Sequence, residues 1–237
     1  MKRALVLSGG GLFGAWQAGA WRALCDRWQP DLVVGASVGA LNGYAIAGGV
    51  SADALARIWL DPSMADLHNL PENIRTLMGQ CRPSTERSEF GVVLTDIARL
   101  KPKIFRDGEV TWKHLAASCA IPGVLPQYRI GARWYSDGGL LNPLPLWAAA
   151  ELGATSIVAL HALPQLPARW LSRFAWAFQK IAGYRPALGD QIQATVIQTD
   201  GALGSLRDAL RWKRENIERW LDLGYADGKN ISIPDCF

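Results

Sequence analysis

The sequence is short of histidine, of patterned cysteine and of long apolar runs. Its four cysteines, Cys25, Cys81, Cys119 and Cys236, are scattered without CxxC or CxH spacing. Neither a zinc site nor a disulfide framework is indicated, and a reducing compartment is expected. The apolar run in the N-terminal "MKRALVLSGGG" ends at Leu7, too short for a signal-peptide core, and no stretch reaches the length of a membrane span. A cytoplasmic protein, free or peripheral to a membrane, is the expectation. The net charge of +4 is carried without Lys/Arg runs, which speaks against a nucleic-acid arm and suits an anionic membrane surface or acidic ligands. What is present is a chain of 237 residues, 49% hydrophobic and 19% charged, enough for one large folded domain. No internal repeat, low-complexity tract or linker divides it.

The first fifty residues read as two β-α units. "RALVLS" (Arg3 to Ser8) is a short apolar run ending in glycines, and Trp16, Ala20, Leu24 and Trp28 follow at helical spacing. "PDLVVGAS" repeats the logic, with a helical run from Val38 to Ala47 behind it. Two such units predict an α/β fold, with a mainly parallel central sheet between helical layers. Residues 51–89 are punctuated by Pro62, Pro71 and Pro83 and are expected to form a cap. Further on, the pattern predicts a strand over Phe90 to Ile97, a hairpin partner around Lys103 to Phe105, and a helix through "VTWKHLAASCA" stopped before Pro122. A strand at "RWYSDGG", a helix Leu146 to Leu152 and a strand Ser156 to Leu160 complete the series, and residues 165–237 are expected to be a helical C-terminal part of the same domain.

Three glycine-marked corners each follow an apolar run: "SGGGLFG" (Ser8 to Gly14), "GASVG" (Gly35 to Gly39) and "SDGG" (Ser136 to Gly139). In a parallel sheet the strand C-termini gather along one edge, so the three corners are expected to meet at one site. The second corner fits either a simple turn or a nucleophile elbow, Gly-x-Ser-x-Gly, in which a strained strand-to-helix corner presents Ser37 between Gly35 and Gly39. The first formally matches the dinucleotide fingerprint through Gly9, Gly11 and Gly14. No acidic residue ends the second strand to hold a ribose, which speaks against a nucleotide. Backbone N–H groups at such a loop suit a developing oxyanion as well as a phosphate. For a base there are three histidines, His68, His114 and His161. The order Ser37, Asp137, His161 is that of an α/β-hydrolase triad, against which stands the elbow's early place on the second strand; a hydrogen-bonded structural role for His161 is the plainer reading.

In these motifs the chain resembles the patatin-like lipid acyl hydrolases, which use a Ser-Asp dyad. The resemblance rests on the glycine loop (Gly9, Gly10, Gly11, Gly14), the elbow around Ser37, the segment "ASCAIPGVLP" from Ala117 to Pro126, and "DGGLLNPLP" with Asp137, Gly138 and Gly139, all within residues 1–160. It implies a three-layer patatin-like fold, Ser37 as nucleophile and Asp137 as its base. It also implies an oxyanion hole at Gly9, Gly10 and Gly11, and hydrolysis of phospholipid, lysophospholipid or acylglycerol esters. No metal or organic cofactor is implied. Gly138 and Gly139 are expected to let Asp137 approach Ser37, whereas Asn142, Pro143 and Pro145 read as turn residues. The family's loop usually carries a basic residue before its last glycine, where this chain has Phe13.

Eleven tryptophans add apolar surface for core and pocket walls. On a helical wheel the segment Ala168 to Gly183 gathers Trp170, Leu171, Phe174, Phe178 and Ile181 on one side, and Arg169, Arg173, Trp176 and Lys180 on the other. An ordinary surface helix explains this pattern, and so does peripheral membrane contact through those three cations and Trp176. A last helix is expected from about Leu206 to Leu223, opened by Ser205 and Asp208 and stopped by Gly224, with a solvated charged face.

Overall fold

Alternating side chains in the first strands send one apolar set to each face of a central sheet. Leu5 and Leu7 of β1 (Arg3–Leu7) and Val33 of β2 (Leu32–Ala36) join the larger core, while Ala4, Val6, Leu32 and Val34 face the smaller one. The computed structural model describes residues 1–66, 69–82, 87–164, 188–189 and 191–231. In them the sheet has eight strands, completed by β3 (Glu89–Asp96), β4 (Lys101–Arg106), β5 (Tyr128–Ile130), β6 (Arg133–Asp137), β7 (Ser156–His161) and β8 (Gln193–Gln198). The order is β5-β6-β3-β2-β1-β7-β8, with β4 also on β3. From β3 to β8 the pairs are parallel; β4, β5 and β6 are antiparallel additions.

The larger core is covered by α1 (Gly14–Leu24), α2 (Val38–Ala47), α3 (Ala52–Leu60), α4 (Leu70–Gly79) and α5 (Trp112–Ser118). The other face is packed by α6 (Leu146–Glu151) through Trp147, Ala148 and Ala149. The architecture is thus the α/β sandwich with a mainly parallel sheet that the β-α pattern predicts. Within residues 51–89, α3 packs on α1 and α4 on α2. The amphipathic segment 168–183, with Arg169, Arg173, Trp176 and Lys180, lies outside the described residues. No helix among the described residues is long and apolar enough to cross a membrane.

The expected helix Leu206 to Leu223 is two helices, α7 (Leu206–Leu210) and α8 (Arg214–Lys229). Ser205 and Asp208 do form a capping box at its start. Gly224 does not stop the second helix, because it is a contact point: a Cβ there would lie 2.0 Å from the Trp16 carbonyl oxygen. Gly19 of α1 stands equally close to the Leu221 carbonyl. The two helices cross backbone to backbone, braced by Trp16 Nε1 donating to Asp227 Oδ2 at 2.7 Å and by the fully buried Trp220. Two strands escaped the sequence pattern, β5 and β8, the latter exposed at most positions.

A pair of like substitutions separates packing from helix propensity. Gly79→Ala, whose Cβ would meet nothing within 4 Å, is expected to be neutral or stabilising by up to about 1 kcal/mol. Gly224→Ala forces α1 and α8 apart and is expected to destabilise by about 1–3 kcal/mol despite the same propensity gain. Urea denaturation of both variants measures the two signs.

Candidate active site

The end of β2 and the end of β6 meet on one edge of β3. Residues 91–96 of β3 pair with β4 on one side; on the other, residues 89–93 pair with β2 and residues 94–96 with β6. Ala36 is opposite Val93 and Asp137 opposite Leu94, so the residue after β2, Ser37, abuts the last residue of β6. Asp137 therefore reaches the site by a route that no local sequence pattern encodes. Its strand is antiparallel and arrives from above the end of β2, instead of lying beside it among the parallel strand ends. The first corner follows β1, and a Cβ at Gly9 would stand 3.3 Å from Ser37 Cβ and 4.0 Å from Gly139 Cα. All three glycine-marked corners converge.

Ser37 sits at φ 55° and ψ −132°, a conformation that costs a non-glycine residue on the order of 1–3 kcal/mol. The surroundings enforce it. A Cβ at Gly35 would lie 2.2 Å from the Gly39 carbonyl oxygen, and one at Gly39 would lie 2.4 Å from those of Leu7 and Ser8. The corner admits only glycine on both sides. Helix α2 starts at Val38, directing the positive end of its dipole at the Ser37 side chain.

The segment Ala117 to Pro126 splints serine to aspartate, a role the sequence did not reveal. Ser118 Oγ accepts from the Ser37 N–H at 2.9 Å and donates to the Val93 carbonyl at 2.9 Å. The Ala120 carbonyl accepts from the Asp137 N–H at 3.1 Å and from Ser136 Oγ at 3.0 Å. Gly138 is held so close that a Cβ would stand 1.9 Å from the Val93 oxygen.

Asp137 is 4% exposed. Oδ1 accepts from the Gly139 N–H at 2.7 Å, whereas Oδ2 is buried with no well-aligned hydrogen-bond partner. Burial pushes its pKa up to about 6, against the opposing pull of the Ser37 hydroxyl and the Gly139 N–H. The hydroxyl is thus near enough to stabilise the charge without completing a bond to Oδ2. Cys119, also beside Ser37, is held well above the usual thiol range, first by burial and then by the Asp137 charge.

In the glycine loop Gly9 donates its N–H to the Pro143 carbonyl at 2.9 Å, so it supplies no free donor. It anchors the loop, and Pro143 acquires a purpose beyond its turn. The N–H groups of Gly10 and Gly11 have no acceptor among the described residues. Gly11, at φ +57°, leaves no room for a Cβ, which would lie 2.4 Å from the Ala209 oxygen of α7. Ser8 is fixed by its Oγ accepting from the Ala162 N–H at 2.9 Å and by its carbonyl accepting from Gln17 Nε2 at 2.8 Å. From Gln17 a buried chain continues through Asn42 to the indole N–H of Trp59. Gln17 and Asn42, which the sequence marks only as helix residues, brace the loop from below. Phe13 packs edge-on against Trp220, ring centroids 5.0 Å apart, so an apolar contact holds the position where a basic residue is usual. Gly14 faces the Trp59 ring and Val38.

Neither of the two described histidines hydrogen-bonds Ser37 or Asp137. His161 hydrogen-bonds Gln198 and the backbone of Leu163, and burial lowers its pKa. His114 caps α5 with Thr111 and packs against Phe105; His68 lies outside the described residues. Among the described residues no group of three or more His, Cys, Asp or Glu is placed to hold a metal ion. Ser37 opens onto a cleft of about 110 Å³ walled by Leu12, Val38, Leu41, Trp59, Ile121 and Leu210. A second cavity of about 70 Å³ shares Leu41, Trp59 and Leu70 with it. Both walls are overwhelmingly apolar.

The patatin-like phospholipase profile matches residues 5–108 and 86–150. An uncharacterised NTE family protein of Mycobacterium tuberculosis is 27% identical over 198 residues, covering 72% of this chain and 54% of its own length. Human patatin-like phospholipase domain-containing protein 6 is 29% identical over 179 residues, 66% of this chain and 13% of that one. The chain therefore spans about half the mycobacterial relative and a small part of the human one. The crystal structure of VipD from Legionella pneumophila shares the fold, with TM-score 0.55 at 13% identity over 96% of this chain and 66% of that one. On the profile match across both halves of the site, the chain belongs to the patatin-like phospholipase family.

Proposed function

We propose that the protein is a serine hydrolase of lipid acyl esters, phospholipids, lysophospholipids or acylglycerols, working through a Ser37–Asp137 dyad. The observation that carries this reading is the buried Asp137 Oδ2, which lacks a well-aligned partner, beside a strained Ser37 at the floor of an apolar cleft. Ser37 Oγ attacks the ester carbonyl while its proton passes to Asp137. The N–H groups of Gly10 and Gly11, aided by the α2 dipole, receive the oxyanion. Collapse of the tetrahedral intermediate breaks the ester C–O bond, and the departing alcohol takes the proton from Asp137. Water then attacks the acyl-Ser37 ester with Asp137 again as base, releasing the fatty acid. An exposed aspartate is too weak a base for this task; a carboxyl near pKa 6 is still ionised at neutral pH and about a hundredfold more basic.

The reading is tested by hydrolysis of a soluble p-nitrophenyl ester. Ser37→Ala is expected to abolish turnover and Asp137→Asn to lower kcat by about 10²–10⁴-fold, while His161→Asn retains it. Loss of activity in a folded His161→Asn variant would transfer the role of base to histidine. In the unaltered protein kcat/KM should rise about tenfold per unit up to about pH 6 and level off above.

Burial of the same carboxyl also sets a stability signature. Its pKa is raised on folding, from 3.8 to about 6, so the native state holds more protons than the unfolded state between those values. Stability is full below about pH 4 and is lost as pH rises through about 6. Asp137→Asn removes the buried charge. It is expected to be more stable than the unaltered protein by up to about 3 kcal/mol above pH 7, with the gap closing below about pH 4. Thermal unfolding of both proteins across that range checks the sign.

Trp59 separates the two cavities and is fixed by its N–H to Asn42 Oδ1 at 3.0 Å. Trp59→Ala joins them and is expected to move the optimum in a p-nitrophenyl ester series toward longer acyl chains, read as the ratio of kcat/KM between long and short esters.

A further inference from the structure

Helix α7 lies across the mouth of the Ser37 cleft. Its Ala209 carbonyl contacts Gly11, and Ala209 and Leu210 line the cleft itself. The mouth carries apolar side chains that the fold leaves in solvent. Val124 is 48% exposed, Leu210 41% and Leu206 37%. Val124 and Leu210 belong to different segments yet wall the same cleft. Leu206 stands one turn before Leu210, on the same side of α7.

Beside that apolar stripe runs a cationic one. Arg207 and Arg211 are exposed, follow Leu206 and Leu210 at the same four-residue spacing, and form no ion pair among the described residues. The acid within α7, Asp208, is turned back onto the Ser205 hydroxyl and the Ser205 N–H in the capping box and toward Asn216. It therefore does not pair with either arginine. Lys213 adds a further exposed cation just beyond. Exposed leucines flanked by unpaired arginines at the opening of an apolar cleft match the boundary between acyl chains and anionic head groups.

We propose that α7 and Val124 form the surface by which the protein docks on an anionic lipid membrane, setting the cleft mouth against the acyl-chain layer. Leu206, Leu210 and Val124 enter the interface, and Arg207 and Arg211 pair with lipid phosphates. A lipid can then slide from the bilayer toward Ser37 without its chains crossing water. This inference rests on the lipid-hydrolase reading only for its purpose, since docking is measurable without turnover. It assigns the contact to a described surface close to the chemistry, independently of residues 168–183.

The test uses Ser37→Ala protein, so that vesicles stay intact, sedimented with phosphatidylcholine vesicles with and without phosphatidylglycerol. Binding is expected to require the anionic lipid and to weaken with salt. Since each basic residue near an anionic surface changes partitioning about fivefold, Arg207→Gln with Arg211→Gln should weaken binding on the order of twentyfold. Arg207→Lys with Arg211→Lys should restore most of it, and Leu206→Gln should weaken binding to the same vesicles. In a Ser37 background the same surface variants should hydrolyse a soluble short-chain ester at the unaltered rate, which separates docking from failure of the dyad. Vesicle binding unchanged in the Arg207→Gln, Arg211→Gln, Leu206→Gln protein would overturn the proposal. So would a self-association, seen by analytical ultracentrifugation and lost in that variant while vesicle binding persists, because the face would then belong to a second copy of the chain.

Discussion

Everything at the site depends on two strands sharing one edge of a third. β2 occupies that edge of β3 as far as Val93, and β6 takes it over at Leu94 from the opposite direction. Strand pairing thus fixes the distance from Ser37 to Asp137, with no flexible loop between support and side chain. The close approach is tolerated because Gly138 brings no Cβ against the Val93 carbonyl. Ser118 clamps the same carbonyl to the Ser37 N–H. A hydroxyl bridging two strands beside their junction holds both in register, and buried hydrogen bonds of this kind are expensive to leave unmade.

Three features of the site run against stability: the left-handed Ser37, a carboxyl shut away from water, and two N–H groups without acceptors among the described residues. Such strain persists only where the surroundings over-determine it. Here the surroundings are the glycine contacts of the elbow, the Gly9 to Pro143 hydrogen bond, and the buried chain from Ser8 through Gln17 and Asn42 to Trp59. The last of these connects the glycine loop to a wall of the cleft. The packing of Phe13 on Trp220 ties that loop to α8, and α8 crosses α1 at Gly19 and Gly224. The C-terminal helix is therefore a structural partner of the first two corners.

What could be read from the sequence was what is encoded locally. Apolar runs ending in glycine marked β1 and β2, and the fold class and most other elements followed from spacing, though not β5, β8 or the break between α7 and α8. Ser37 and Asp137 were visible because each sits among glycines whose local pattern is unusual. What was hidden depends on distant chain. Gly224 looks like a helix stop until the Trp16 carbonyl is seen against it. β8 shows no alternation because it is an edge strand with mostly exposed side chains. The antiparallel direction of β6, the anchoring of Gly9 by Pro143, and the splint from Ser118 and Ala120 are all pairings between segments far apart in sequence. No local signal carries them; in Ala117 to Pro126 the two splinting residues are merely a serine and an alanine.

The proposed chemistry makes Ser37 a nucleophile served by Asp137 and by the N–H groups of Gly10 and Gly11. The most direct measurement is a crystal structure of the protein after reaction with a fluorophosphonate. A single adduct on Ser37 Oγ is expected, with the phosphonyl oxygen about 2.7–3.1 Å from the Gly10 and Gly11 nitrogens and the Asp137 carboxyl, not a histidine, beside Oγ. An unmodified Ser37, or an adduct whose oxygen turns away from that loop toward a histidine, would contradict it.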